Sequence, residues 1–141
     1  MEKDRTPLNL SIEPFEKALA SLEAALARNA EAPSDDMIRD AGIQRFEFTY
    51  ELSHKMLKRY LEATSANPAE FDAITFQDLI RLGNERGLLL GDWSNWKAFR
   101  AARGATSHTY DQEKAEHVFA QIPAFVEEAR FLLDKLREAL A

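Results

Sequence analysis

From Val118 to Leu140 the apolar residues return at steps of three and four: Val118, Ile122, Phe125, Val126, Ala129, Leu132, Leu133, Leu136 and Leu140. Only a helix places residues at that spacing on one face. The same rhythm recurs upstream, and no window alternates with period two over a strand's length. The chain is therefore restricted to packing helices against helices.

Phe15, Ala18, Leu19, Leu22 and Leu26 define a first helix over about residues 11–29, with Ser11 as N-cap and Pro14 in its first turn. Residues 32–36 read as a turn, and Ser34 caps a second helix over about 35–63. Ile38, Ile43, Phe46, Tyr50, Leu52, Leu57, Tyr60 and Leu61 cover more than one stripe of that helix, so it should touch several neighbours. Its remaining face carries Glu47, Glu51, Lys55 and Lys58, where Glu47–Glu51 is a like-charge pair and Glu51–Lys55 a favourable one.

A connector around Asn67-Pro68 leads to a short helix over about 75–86, opened by Thr75 and with Phe76, Leu79 and Ile80 inward. A fourth helix starts near Asp92, carries Trp93, Trp96, Phe99 and Ala102 as core or interface, and ends at or shortly after residues 103–108. Asp111 caps a last helix over about 112–140, bent at Pro123, where one backbone donor is missing. The expected architecture is an all-α, antiparallel up-and-down four-helix bundle, of four or five helices, in one domain over residues 1–141 with 1–8 flexible.

Charge narrows the function. The chain has 24 acidic and 18 basic residues, a net charge of −6, so any phosphate site must be a local basic patch. There is no cysteine, which removes disulfides, thiol nucleophiles and thiolate metal ligands and is compatible with a cytoplasmic protein. No run reaches the ~18 apolar residues of a membrane span, and Met1–Pro7 lacks a signal peptide's apolar segment. Neither a glycine-rich phosphate loop, a Ser-His-Asp set nor a metal motif is present, so no metal or cofactor is expected. His54 and His117 stand without partners at metal-ligand spacing and read as structural or surface residues.

One segment looks chosen for chemistry: Arg103-Gly-Ala-Thr-Ser-His108-Thr-Tyr110-Asp111. Arginine offers a permanently charged planar fork suited to phosphate oxygens. Histidine exchanges a proton near neutral pH. Five positions on an ideal helix separate two side chains by about 140°, so Arg103 and His108 converge only if the helix ends between them, and Gly104 favours that. Lys97 and Arg100 extend a local basic patch, and Tyr110 is a candidate nucleotide contact or modification acceptor. From spacing alone the plainer alternatives stay open: a helix-terminal His beside an ion-paired Arg, a tyrosine anchoring a turn, and a solvated basic face.

Two segments resemble a known family. Ile43-Gln-Arg-Phe-Glu-Phe-Thr-Tyr-Glu-Leu52, followed by Lys55, Leu57 and Lys58, is similar to the second-helix signature of the nucleotidyltransferase substrate-binding proteins. Residues 103–111 are similar to that family's second signature. The resemblance covers about residues 8–140. The family belongs to the HEPN superfamily and overlaps the HepT-type toxins. Two departures stand out: Gly104, where a polar residue is frequent, and His54, where a tryptophan is frequent.

The resemblance implies a homodimer that joins two Arg/His segments in a cleft and pairs with a small minimal nucleotidyltransferase. It implies a toxin–antitoxin pair in which Arg103 and His108 form a metal-independent ribonuclease site on RNA. Tyr110 would be the residue to which the partner adds AMP, and Glu51 would line the cleft. The alternative within the resemblance is a non-catalytic nucleotide- or substrate-binding subunit of a two-component transferase.

Overall fold

The computed structural model describes residues 10–141, which leaves the segment expected to be flexible, residues 1–8, outside the described residues. Among the described residues all regular structure is helical: α1 (Glu13–Glu31), α2 (Asp36–Ala63), α3 (Phe76–Glu85), α4 (Trp93–Gly104), α5 (Gln112–Ala120) and α6 (Ile122–Leu140). Short 3₁₀ turns at Pro68–Ala73 and Thr106–His108 join them. The helical-bundle expectation holds. No helix among the described residues is long and apolar enough to cross a membrane.

The helix α2 lies at the centre and touches every other helix, as apolar cover on more than one stripe requires. Phe46, Leu57 and Leu61 are buried on it, and Thr49 and Ser53 satisfy their hydroxyls on backbone carbonyls. The α1 stripe buries Phe15, Leu19 and Leu22 against α2 and α6. Arg130–Glu23 and Arg137–Glu16 ion pairs fasten α6 to α1 from outside.

Helix ends differ in detail from expectation. Ile12, not Ser11, is the N-cap of α1 and makes no side-chain cap bond. Asp35, not Ser34, caps α2: its carboxylate accepts from the Met37 and Ile38 N–H groups at 2.9 and 3.2 Å. Charge decides that second case, because a carboxylate gains more from the helix dipole than a hydroxyl does. Thr75 caps α3 by accepting from the Asp78 N–H at 3.1 Å. Gly87, at φ 73°, ends α3, with Leu88 N–H donating to the Gly83 carbonyl and Gly87 N–H to that of Asn84. That paired closure needs a left-handed residue, which glycine adopts without cost.

The expected final helix is two helices. Gln121 separates α5 from α6, and Pro123 sits in the first turn of α6, where its missing N–H leaves no bond unmade. Proline therefore divides the segment rather than merely bending it.

Glu128, on α6, is 2% exposed, and its carboxylate accepts from the Leu90 and Gly91 N–H groups at 2.8 and 2.7 Å. This clamp holds the loop that launches α4. The buried Trp96 indole N–H makes no full hydrogen bond and acts on Glu128 as a nearby dipole. Burial raises the Glu128 pKa, outweighing the backbone donors that favour its charge. The native carboxyl thus keeps its proton to higher pH than the unfolded one, whose ordinary value is 4.5. Its contribution to stability is largest below that value and declines as pH rises through the raised native pKa. Urea denaturation across this window should show the native chain losing stability relative to Glu128→Gln as pH rises. Glu128→Ala, which strands two backbone donors, should cost about 1–3 kcal/mol at any one pH.

Candidate functional site

The α4 helix is built to end at a chosen place. Asp92 opens it with a full capping box to Asn95. Trp96, Phe99 and Ala102 bury one face, which turns Arg103 toward α2 rather than into the core. The helix ends at Gly104, and the Thr106–His108 turn follows. Thr106 folds that turn by donating to the Arg103 carbonyl at 2.9 Å, and Asp111 starts α5 by accepting from the Lys114 N–H at 3.2 Å. The break between Arg103 and His108 that convergence requires is therefore present.

Arg103 is the centre of the polar contacts. Its Nε donates to Glu51 Oε2 at 2.9 Å, and its Nη1 lies 3.2 Å from Glu47 Oε2 and 3.4 Å from Thr106 Oγ1. Nη2 has no hydrogen-bond partner among the described residues. Two carboxylates thus fix the plane of the guanidinium and leave one amino edge open. The like-charge pair Glu47–Glu51 is reconciled by the cation between them. Glu51 turns to Arg103 and His54 rather than to Lys55.

His54 Nε2 is 3.4 Å from Glu51 Oε1, and its ring packs edge-on to Tyr50 and Phe76 at centroid distances of 5.1 and 5.4 Å. Burial lowers the His54 pKa; Glu51 opposes this, while Lys55 and Arg100 reinforce it. The ring is therefore mainly neutral at pH 7. Burial also raises the Tyr50 phenol to about 12, so this tyrosine stays protonated.

The Arg103–Glu51 pair forms a ridge between two clefts. On the α1 side a cleft of about 760 Å³ is lined by residues including Lys17, Ser21, Arg45, Glu47 and Phe48. Phe48 is 61% exposed there. On the other side a cleft of about 350 Å³ is lined by Tyr50, Glu51, His54, Phe76, Arg100, Arg103 and Gly104. The Arg100 guanidinium lies over the Phe76 ring, 5.1 Å from its centroid.

The expected site residues are distributed unevenly. Arg103, Glu51 and Arg100 share the smaller cleft. Lys97 lies on the exposed face of α4 and lines neither cleft. His108 is exposed on the following turn, with its ring 6.2 Å from that of Tyr110, and Tyr110 is 86% exposed. No hydrogen bond joins Arg103 to His108. Glu47, Tyr50, His54 and Phe76 are among the cleft residues that sequence reasoning left out of the site. The Glu51–His54 spacing of three on one helix was the available signal; the approach of Phe76 from α3 had none. Among the described residues no three His, Asp or Glu side chains gather where they would hold a metal ion.

Removing the Glu51 charge should lower the His54 pKa further, since that charge is what supports the imidazolium. An NMR titration of the His54 ring in Glu51→Gln beside the native chain measures this, and an unchanged or higher value would refute the coupling.

The chain is 42% identical over 139 residues, covering 93% of each protein, to a Haemophilus influenzae protein named as a probable ribonuclease HepT. A solved Haemophilus influenzae structure, described as the fold of a substrate binding domain of a nucleotidyltransferase, superposes with a TM-score of 0.83 at 41% identity. That match covers 90% of this chain and 99% of the other. The family model for nucleotidyltransferase substrate binding protein like sequences matches residues 10–138. With its helical bundle and nearly its whole length matched, this chain belongs to the nucleotidyltransferase substrate binding protein like family.

Proposed function

We propose that the chain is a HepT-like, metal-independent ribonuclease of a toxin–antitoxin pair, held in check by a minimal nucleotidyltransferase in the cytoplasm. The observation that carries this reading is the state of Arg103: a guanidinium locked by Glu47 and Glu51, one edge unpaired, at a helix end that leads straight to an exposed His108. The name of the 42% identical relative supports it.

In this reading Arg103 Nη2 donates to a non-bridging oxygen of the scissile phosphate, where negative charge grows in the phosphorane. His108 takes the proton from the ribose 2′-hydroxyl. The 2′-oxygen attacks phosphorus, the P–O5′ bond breaks, and the departing O5′ receives a proton. The products are a 2′,3′-cyclic phosphate and a 5′-hydroxyl. One imidazole cannot accept and donate in the same step, so a second His108 from another copy of the chain supplies the acid. A homodimer answers that need, and the larger cleft with exposed Phe48 is a suitable face for it.

Tyr110 is the acceptor for AMP. Its phenol stands clear of the fold, so the partner enzyme can bring ATP to it. The phenolic oxygen attacks the α-phosphorus, pyrophosphate leaves, and the phenol proton goes to solvent. The added phosphate then occupies the space beside His108 and repels RNA.

A second reading, a binding subunit without turnover, is favoured by the description of the solved relative and by the two carboxylates that already engage Arg103. Inducing the chain in a bacterial host distinguishes the two. Growth arrest by the native chain, relieved by Arg103→Ala and by His108→Ala at equal soluble expression, is the expected result; normal growth in all three leaves the binding subunit ahead. With purified protein, His108→Ala should slow RNA cleavage by about 10²-fold or more without changing the thermal unfolding temperature. Phe48→Glu should shift the sedimenting species from dimer to monomer and abolish cleavage with it; a native monomer would overturn the two-histidine scheme.

A further inference from the structure

The cleft between α2, α3 and α4 is not needed to hold a phosphate, yet it opens directly beside Arg103. We propose that it is a nucleobase site, taking the base next to the phosphate at Arg103, and that it prefers bases with an exocyclic amino group over uracil. This rests on the phosphate-binding reading of Arg103.

Three observations converge on a flat, polar-edged ligand. First, the walls are aromatic: Tyr50, His54 and Phe76 all line the cleft. Second, the Arg100 guanidinium carbon lies over the Phe76 ring, 5.1 Å from its centroid, and has no carboxylate within ion-pair distance among the described residues. A guanidinium backed by an aromatic ring offers its outer face for a base to stack on. Arg100 is also exposed, so the stack is reached from solvent. Third, the cleft floor carries an acceptor. Glu51 Oε2 is committed to Arg103 at 2.9 Å, whereas Oε1 has only His54 Nε2, at 3.4 Å. An amino group of guanine, adenine or cytosine can donate to Oε1, whereas uracil offers a single N3–H flanked by two carbonyl oxygens, at least one of which would be pressed against the carboxylate. At about 350 Å³ the cleft falls at the small end of ligand pockets, enough for one base but not for a folded oligonucleotide.

Gly104 is the threshold of this cleft. A Cβ there would meet nothing within 4 Å, so packing does not require glycine. Because Gly104 lines the cleft and has open space about it, a large side chain there has room to cover the cleft edge. The absence of one keeps the base site open, which gives a physical use to a residue where the family resemblance leads one to expect a polar side chain.

The test uses the full chain and isothermal titration with GMP, AMP, CMP, UMP, ribose 5-phosphate and guanosine, beside Gly104→Trp and Arg103→Ala. GMP should bind at least tenfold more tightly than ribose 5-phosphate, and UMP should be the weakest nucleotide. Gly104→Trp should reduce GMP to the level of ribose 5-phosphate without altering the circular dichroism spectrum. Nucleotides no tighter than ribose 5-phosphate, or a GMP advantage that survives in Gly104→Trp, would overturn the base site. UMP binding as well as GMP would overturn the role given to Glu51. Failure of the phosphate reading looks different: guanosine would bind as tightly as GMP and Arg103→Ala would change neither, while the Gly104→Trp effect on guanosine remained.

Discussion

Phe125 holds the molecule's interior in register. Its ring is fully buried on α6 and meets Phe46 and Tyr50 of α2 and Trp96 and Phe99 of α4, at centroid distances of 5.2 to 6.2 Å. Three of the four contacts are near-perpendicular, the orientation that places a ring's positive edge on its neighbour's negative face. The cluster ties together three helices distant in sequence and fixes the rotation of α4 about its own axis. Whatever α4 presents on its other side is decided there. With Trp96, Phe99 and Ala102 turned inward, Arg100 and Arg103 are left at the α2 side and Lys97 at the surface.

The electrostatics of the cleft follow from that rotation. The overall field of an acidic chain repels phosphate, so on the proposed reading the orientation of a few cations has to compensate. Glu47 and Glu51 offset the charge of Arg103, yet they also hold its plane in one place. Half-exposed ion pairs of this kind add little to stability; their value lies in direction. The guanidinium is held in one orientation, with one amino edge unpaired among the described residues. Arg100 achieves the same end by lying on an aromatic face. The two arginines, three residues apart, are thus restrained by different forces and frame one cleft between them.

The exposed segment after α4 plays a complementary part. A 3₁₀ turn braced by Thr106 carries His108 and Tyr110 away from the bundle, with neither side chain packed into it. A guanidinium fixed by two carboxylates and an exposed imidazole therefore sit on opposite sides of a helix terminus. Under the proposed ribonuclease reading, such a division suits a site completed by a second copy of the chain.

Much of this was legible in the residues alone. Apolar spacing gave six helices' worth of pattern as five, and it located the central role of α2, because a helix with apolar cover on several stripes must bury them against several neighbours. It also singled out residues 103–111, where an arginine, a histidine and a tyrosine fall around a helix break, although spacing alone left a packing role open for each. What it could not decide were matters of rotation and approach: that Glu47 joins Glu51 around Arg103, that His54 leans on Glu51, that Phe76 comes up from α3 under Arg100, and that Pro123 separates two helices. Periodicity records which side of a helix is buried, a property of one element. Which residue faces which across helices depends on how the Phe125 cluster sets each helix's rotation, and that exists only once the bundle has closed.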